Sequence, residues 1–242
     1  SGEVYESGNN NDKALENYKE LLSTSEDKVV KENTASKILD IHLSKNNIEE
    51  AKKYIEDITN IDTKNYYNSL IYEKQNNKEA AMKEYEKLLE SSRYKDYACV
   101  NIASKLFTEK NYKKAREYYE QVNNMENSIY KDLVLFQIAS IDEIEKKNEE
   151  ALRGYTKGYV MYNGKYSQVS KLKAAQLTEK MGKEKDAKVL YKELYDLDKK
   201  LIYKEFVLEK MIYFALKDEN KTDGKKYYLE LKAINPKKAE KY

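Results

Sequence analysis

Small, aromatic and apolar side chains recur along the chain at intervals of four and then three residues, the spacing that aligns them on one face of a helix. Five stretches show it best: NNDKALENYKELL (10–22), NKEAAMKEYEKLL (77–89), NYKKAREYYEQV (111–122), NEEALRGYTKGY (148–159) and KEKDAKVLYKEL (183–194). Their triads are Ala14/Tyr18/Leu21, Ala81/Tyr85/Leu88, Ala115/Tyr119/Val122, Ala151/Tyr155/Gly158 and Ala187/Tyr191/Leu194. Ala51/Ile55/Ile58 and Gly224/Tyr228/Leu231 complete the series with looser matches. The small residues stand 37, 30, 34, 36, 36 and 37 positions apart.

A second kind of segment alternates with the first, clearest in YACVNIASKLFTEKN (97–111). Here Cys99, Ile102, Ala103 and Leu106 repeat every three or four residues, as a helix packed on one face requires. Comparable runs cover 29–43, 66–74, 133–144, 172–181 and 206–216. Several end at polar turns such as Lys45-Asn46-Asn47, Gln75-Asn76-Asn77 and Met181-Gly182-Lys183. The predicted unit is helix, tight turn, helix. It repeats to give about thirteen helices and no strand.

This pattern resembles the tetratricopeptide repeat family over residues 4 to 236. Ile102 and Ala103 match the Leu-Gly half of its signature, and Ala115 and Tyr119 match the small-x-x-x-aromatic half. Pro236 lies twelve positions after Gly224, where the family's closing proline belongs. The departures are the missing closing proline elsewhere, Asp142 and Thr178 at sites where the family favours an aromatic, and the 30-residue spacing. The resemblance implies an all-α fold, a right-handed solenoid of about seven stacked hairpins in one domain spanning 1–242. The opening EVYESGNN stands where a whole first helix belongs, so the first unit is expected to be incomplete and the chain a piece of a longer one. Residues 134 to 197, with the step Tyr162-Asn163-Gly164-Lys165-Tyr166, further resemble bacterial envelope members of the family, the Tol–Pal-associated periplasmic proteins and an outer-membrane assembly lipoprotein.

Composition adjusts this picture in three ways. One proline and seven glycines among 242 residues agree with a nearly all-helical chain. Lys plus Arg is 45 against 43 acidic residues, so a net charge of +2 supplies no strong field for polyanions. KNYKKAREYYEQV (110–122) therefore reads as a solvated face of Lys113, Lys114 and Arg116 beside Glu117 and Glu120, with Tyr119 turned to the core. The longest apolar run, 133–141, is about half the length of a membrane span. No direct membrane insertion is expected of this segment.

Candidate chemistry is sparse. Cys99 is the sole cysteine and His42 the sole histidine, and both fall at packing positions of first helices. A zinc site needs three or four converging ligands. The pairs Glu49-Glu50 and Glu149-Glu150 open second helices, where negative charge complements the helix dipole. No phosphate loop or nucleophile elbow is present. The expectation is a protein without catalytic, metal or cofactor residues.

By resemblance, the first helices line a groove that binds a protein or peptide. In register, the groove residues are Asn33, Lys37, Asp40, Tyr97, Asn101, Ser104, Phe136, Gln137, Ser140, Gln176, Phe206 and Tyr213. Tyr97 and Phe136 are expected to be aromatic anchors outside the core, dispensable for folding. The favoured function is a non-enzymatic interaction scaffold outside the cytoplasm. The alternatives are a cytoplasmic regulator that binds peptide signals or an attached effector module, and a nucleic-acid or glycan binder. No nucleic-acid partner is expected.

Overall fold

The computed structural model describes residues 8–197 and 203–242. Most of the opening stub lies outside them. The helices are α1 (Gly8–Thr24), α2 (Lys28–Ser44), α3 (Ile48–Lys52), α4 (Ile61–Lys74), α5 (Lys78–Leu88), α6 (Lys95–Thr108), α7 (Tyr112–Asn124), α8 (Lys131–Ile144), α9 (Asn148–Met161), α10 (Ser167–Lys180), α11 (Glu184–Leu197), α12 (Lys204–Lys217), α13 (Lys221–Ile234) and α14 (Pro236–Ala239). A 3₁₀ turn, Ile55–Asp57, follows α3, and no strand occurs among the described residues. The chain divides into two compact units, one running to Gln121 and the other from Val122. In each, consecutive helices pack as antiparallel hairpins: α4 on α5, α8 on α9, α10 on α11, α12 on α13.

Each hairpin closes through one residue in the left-handed region: Asn46, Asn76, Lys110, Lys146, Gly182 or Glu219, with φ between 54° and 78°. The next N–H then bonds back to a carbonyl five residues earlier, as in Asn47 to His42, Asn77 to Tyr72 and Lys147 to Asp142, all at 2.8 Å. This satisfies carbonyls that the first helix leaves open. Asn77, Asn111 and Asn220 cap the second helix of their hairpins by accepting from N–H groups three residues on. Only Gly182 of the six turn residues lacks a Cβ to crowd its carbonyl. Lys146→Gly and Glu219→Gly are each expected to stabilise by about 0.5–1 kcal/mol, and Gly182→Ala to destabilise by a similar amount. Urea unfolding midpoints of the three variants check the sign.

The triads form the core, with two corrections. Ala81/Tyr85/Leu88, Ala115/Tyr119/Val122, Ala151/Tyr155/Gly158 and Ala187/Tyr191/Leu194 are all buried. In α1, Leu21 is 42% exposed and Leu22 packs instead against Leu39 and its neighbours. In α13 the aromatic position passes from Tyr228 to Tyr227, which is 4% exposed. Both shifts move by one residue along a helix whose period lies between three and four. The short 30-residue spacing also has a structural form, because the second helix of that hairpin stops at Lys52 and finishes as the 3₁₀ turn, with Ile55 and Ile58 still buried. Pro236 opens α14, where its missing N–H costs nothing, behind the cap Asn235.

Acidic residues at the start of first helices hold the linker that enters the next hairpin. Glu32 accepts from the N–H groups of Thr59 (3.2 Å) and Asn60 (3.0 Å) and from the Thr59 hydroxyl. Glu205 does the same work with Asn235 (3.2 Å) and Lys238 (2.9 Å), and Asp132 with the Tyr166 N–H (3.4 Å). Partial burial raises the Glu32 carboxyl, but these three donors outweigh it and hold it below the ordinary value.

Candidate functional site

The faces of the first helices are best compared by counting back from the left-handed turn residue of each hairpin. Nine positions before it stand Lys37, Tyr67, Asn101, Gln137, Lys173 and Lys210; six before it stand Asp40, Leu70, Ser104, Ser140, Gln176 and Tyr213. Position three holds Glu73, Glu143 and Glu179, and position two holds Lys74, Lys180 and Lys217.

In the second unit these positions meet across hairpins. The Tyr155 hydroxyl of α9 donates to Glu143 of α8 at 2.7 Å and to Ser140 Oγ at 3.2 Å, and Lys173 of α10 reaches the same Glu143 oxygen at 3.2 Å. One repeat later the Tyr191 hydroxyl of α11 donates to Glu179 of α10 at 2.9 Å, and Lys210 of α12 reaches Glu179 at 2.6 Å. Burial first, and then the facing carboxylate, push both phenols well above the usual tyrosine value, so they remain donors. Lys210 also lies 5.9 Å from the centre of the Tyr191 ring and 5.8 Å from that of Phe206. Beside the first triad, Lys180 joins Ser140, Glu143, Ile144, Tyr155 and Lys173 around an open cleft of about 260 Å³.

The first unit repeats part of this plan. Tyr85 of α5 hydrogen-bonds Glu73 of α4. Tyr67 donates to Asp40 Oδ1 and to the Ser36 carbonyl, both at 3.1 Å. Asn33, Lys37 and Asp40 are exposed on α2, with Lys37 over the Tyr18 ring at 5.2 Å.

Two expected anchors are structural instead. Tyr97 is half-buried among Tyr66 and Tyr85, edge-on at 4.9 and 5.7 Å, with its hydroxyl 3.1 Å from Ser69 Oγ. Phe136 packs on Tyr155 and Tyr166 at 5.7 and 5.5 Å. Truncation of either ring is therefore expected to cost stability, because each packs against aromatic neighbours rather than standing free in a groove. They also belong to different units. Phe206 packs on Tyr191 at 6.2 Å, Asn101 spends its amide on the Tyr97 carbonyl (2.9 Å), and Ser104 lies 3.3 Å from the Tyr119 hydroxyl. Gln137, Ser140 and Gln176 are half-buried, and Tyr213 remains 43% exposed.

The residues that the sequence reading omitted are Lys173, Lys210, Lys180, Lys217, Glu143 and Glu179. A signal for the lysines was present, since Lys173 and Lys210 occupy the same repeat position as Gln137. The basic stretch 110–122 behaves as expected, with Lys113 and Lys114 exposed, Arg116 3.8 Å from Glu120, and Tyr119 fully buried. Cys99 is buried at 0% exposure, and burial raises its thiol. Among the described residues no helix is long and apolar enough to cross a membrane.

The family model of the tetratricopeptide repeat matches residues 36–65, 69–94 and 97–128, which fall on α2–α3, α4–α5 and α6–α7. Residues 36–128, somewhat more than a third of the chain, match tetratricopeptide repeats. Residues beyond 128 lie outside the match, yet hairpins α8–α9, α10–α11 and α12–α13 reuse the same turn and the same buried small-residue position. No curated protein matches the sequence. Among solved structures, the C-terminal part of a repeat-containing protein from Cytophaga hutchinsonii is similar at 16% identity and a TM-score of 0.66, covering 96% of this chain and 93% of that one. PilW, a type IV pilus biogenesis factor, is similar at 12% identity and a TM-score of 0.59, covering 85% of this chain and 94% of that one. The apo quorum sensor NprR from B. thuringiensis is similar at 16% identity and a TM-score of 0.60, covering 91% of this chain and 74% of that one. At these identities the likeness concerns the fold alone. Tetratricopeptide repeats are a protein-interaction architecture.

Proposed function

We propose that the chain is a non-catalytic interaction scaffold of the bacterial cell envelope that holds an extended, acidic segment of a partner protein along its first helices. The observation that carries this reading is the row of Lys173, Lys180, Lys210 and Lys217 on α10 and α12. Three carboxylates answer these four cations: Glu143 and Glu179 accept from Tyr155 and Tyr191 as well as from Lys173 and Lys210, and Glu184 pairs with Lys217. The surplus charge on the face is positive, and fixed cations favour carboxylates that arrive with a partner. Side-chain amides from Gln137 and Gln176 suit the backbone of an extended peptide. The envelope setting is supported by the resemblance of residues 134–197 to Tol–Pal-associated and outer-membrane assembly proteins and by the fold shared with PilW. The fold shared with NprR supports a second reading, a cytoplasmic regulator that binds peptide signals.

Titration with a labelled peptide of alternating Glu and Ser tests the face. Lys173→Glu/Lys210→Glu is expected to weaken binding at least tenfold, about 1.4 kcal/mol, while Lys113→Glu/Arg116→Glu leaves it within twofold. Equal loss in both variants would return the basic stretch to consideration. Fractionation of the native host separates the two settings, since a cytoplasmic protein would support the regulator.

A further inference from the structure

Four positions before the turn residue, the six hairpins carry His42, Tyr72, Leu106, Asp142, Thr178 and Ala215. His42 is the only histidine of the chain. Its side chain is buried, 4% exposed, and its ring stacks on Tyr54 with centroids 5.8 Å apart and planes 14° from parallel. Among the described residues neither Nδ1 nor Nε2 has a hydrogen-bond partner. A neutral imidazole is tolerated there as a flat, mostly apolar filler between α2 and the end of α3.

A protonated ring would meet a different environment. The charged groups facing it are Lys19 of α1, Lys45 at the end of α2, Glu50 of α3 and Lys53 just beyond, with the Tyr54 phenol on the ring itself. Three ammonium groups therefore face one carboxylate; Lys53 holds that carboxylate at 2.5 Å, and Lys45 pairs with Asp12 of α1 at 2.5 Å, which leaves Lys19 as the cation with no such pair among the described residues. An imidazolium would be buried beside like charges with no acceptor for either N–H.

We propose that His42 is an acid-sensitive latch on the first hairpins: its protonation releases α3 and the 3₁₀ turn from α2, while the second unit, which has no histidine, keeps its packing. Release would uncover Leu39, Ile55 and Ile58, which close the core here. The direction follows from linkage. Burial, then Lys19, lower the imidazole below its ordinary value, with Glu50 opposing. A group depressed in the folded state contributes stability fully above its unfolded value, about 6.5, and loses it as the pH falls below that.

The test uses the full chain. Its one imidazole signal is titrated by NMR, and amide exchange, corrected for intrinsic pH effects, is measured at pH 7.5 and 5.5. The imidazole midpoint is expected below the ordinary value of about 6.5. Protection of residues 34–58 should fall by up to about tenfold, the linkage limit for an unfolded value near 6.5, with residues 131–197 unaffected. His42→Phe, which keeps a flat ring that cannot take a proton, should abolish the fall. A midpoint at or above 6.5 overturns the latch without need of a variant. Equal loss of protection in His42→Phe also overturns it, by assigning the response to carboxyls such as Asp40.

Discussion

Tyr191→Ala is expected to destabilise the second unit by about 3–5 kcal/mol, the cost of removing a fully buried aromatic side chain whose space cannot collapse. The ring is 0% exposed and packs against Phe206 and Phe214 at 6.2 and 6.1 Å. Its hydroxyl also holds Glu179 in place for Lys210. Tyr191→Phe isolates that second role. It should cost only about 1 kcal/mol, because the Glu179 carboxylate is partly solvated and keeps its lysine. Urea unfolding of both variants separates packing from hydrogen bonding. Equal, small losses would mean that the ring is not a core element.

Gly154→Leu is the second large effect, expected to cost about 3 kcal/mol through overpacking. A Cβ at position 154 would stand 2.8 Å from the Ala139 Cβ, so α9 must move off α8 for any side chain to fit. Gly154→Ala gives the discriminating sign. At an open helical position it would stabilise by up to about 1 kcal/mol; at this crossing it should destabilise. Ala139→Gly should recover part of the loss in the Gly154→Ala background, giving a favourable coupling in a double-mutant cycle. Additive changes would show that the two helices do not touch there.

The hairpins and turns were legible because they depend on short-range rules. A small residue four before an aromatic lets helices approach and fills the gap beside them, and this fixed Ala81/Tyr85, Ala151/Tyr155 and Ala187/Tyr191 as core pairs. An Asn or Gly after a polar run closes a helix in the left-handed region, and Asn46, Asn76 and Gly182 do so. Where helical geometry permits two neighbours, periodicity could not choose between them. Leu22 displaced Leu21 and Tyr227 displaced Tyr228 because the packed partner, not the spacing, selects which side chain is covered.

The candidate face was legible as a register and obscure as chemistry. Register alone marked Tyr97 and Phe136 as free anchors, whereas Tyr66 and Tyr85 in one case and Tyr155 and Tyr166 in the other enclose them. The Glu143–Tyr155–Lys173 and Glu179–Tyr191–Lys210 contacts join residues 12 and about 30 apart. The fate of His42 likewise depended on lysines from three segments and on the Tyr54 ring laid over it. The sequence by itself determined that this chain folds as stacked helical hairpins, since that follows from local periodicity, turn residues and helix propensity. Only the tertiary structure decided which side chains reach solvent and which charges meet, because those outcomes depend on the distance between helices that no local pattern encodes.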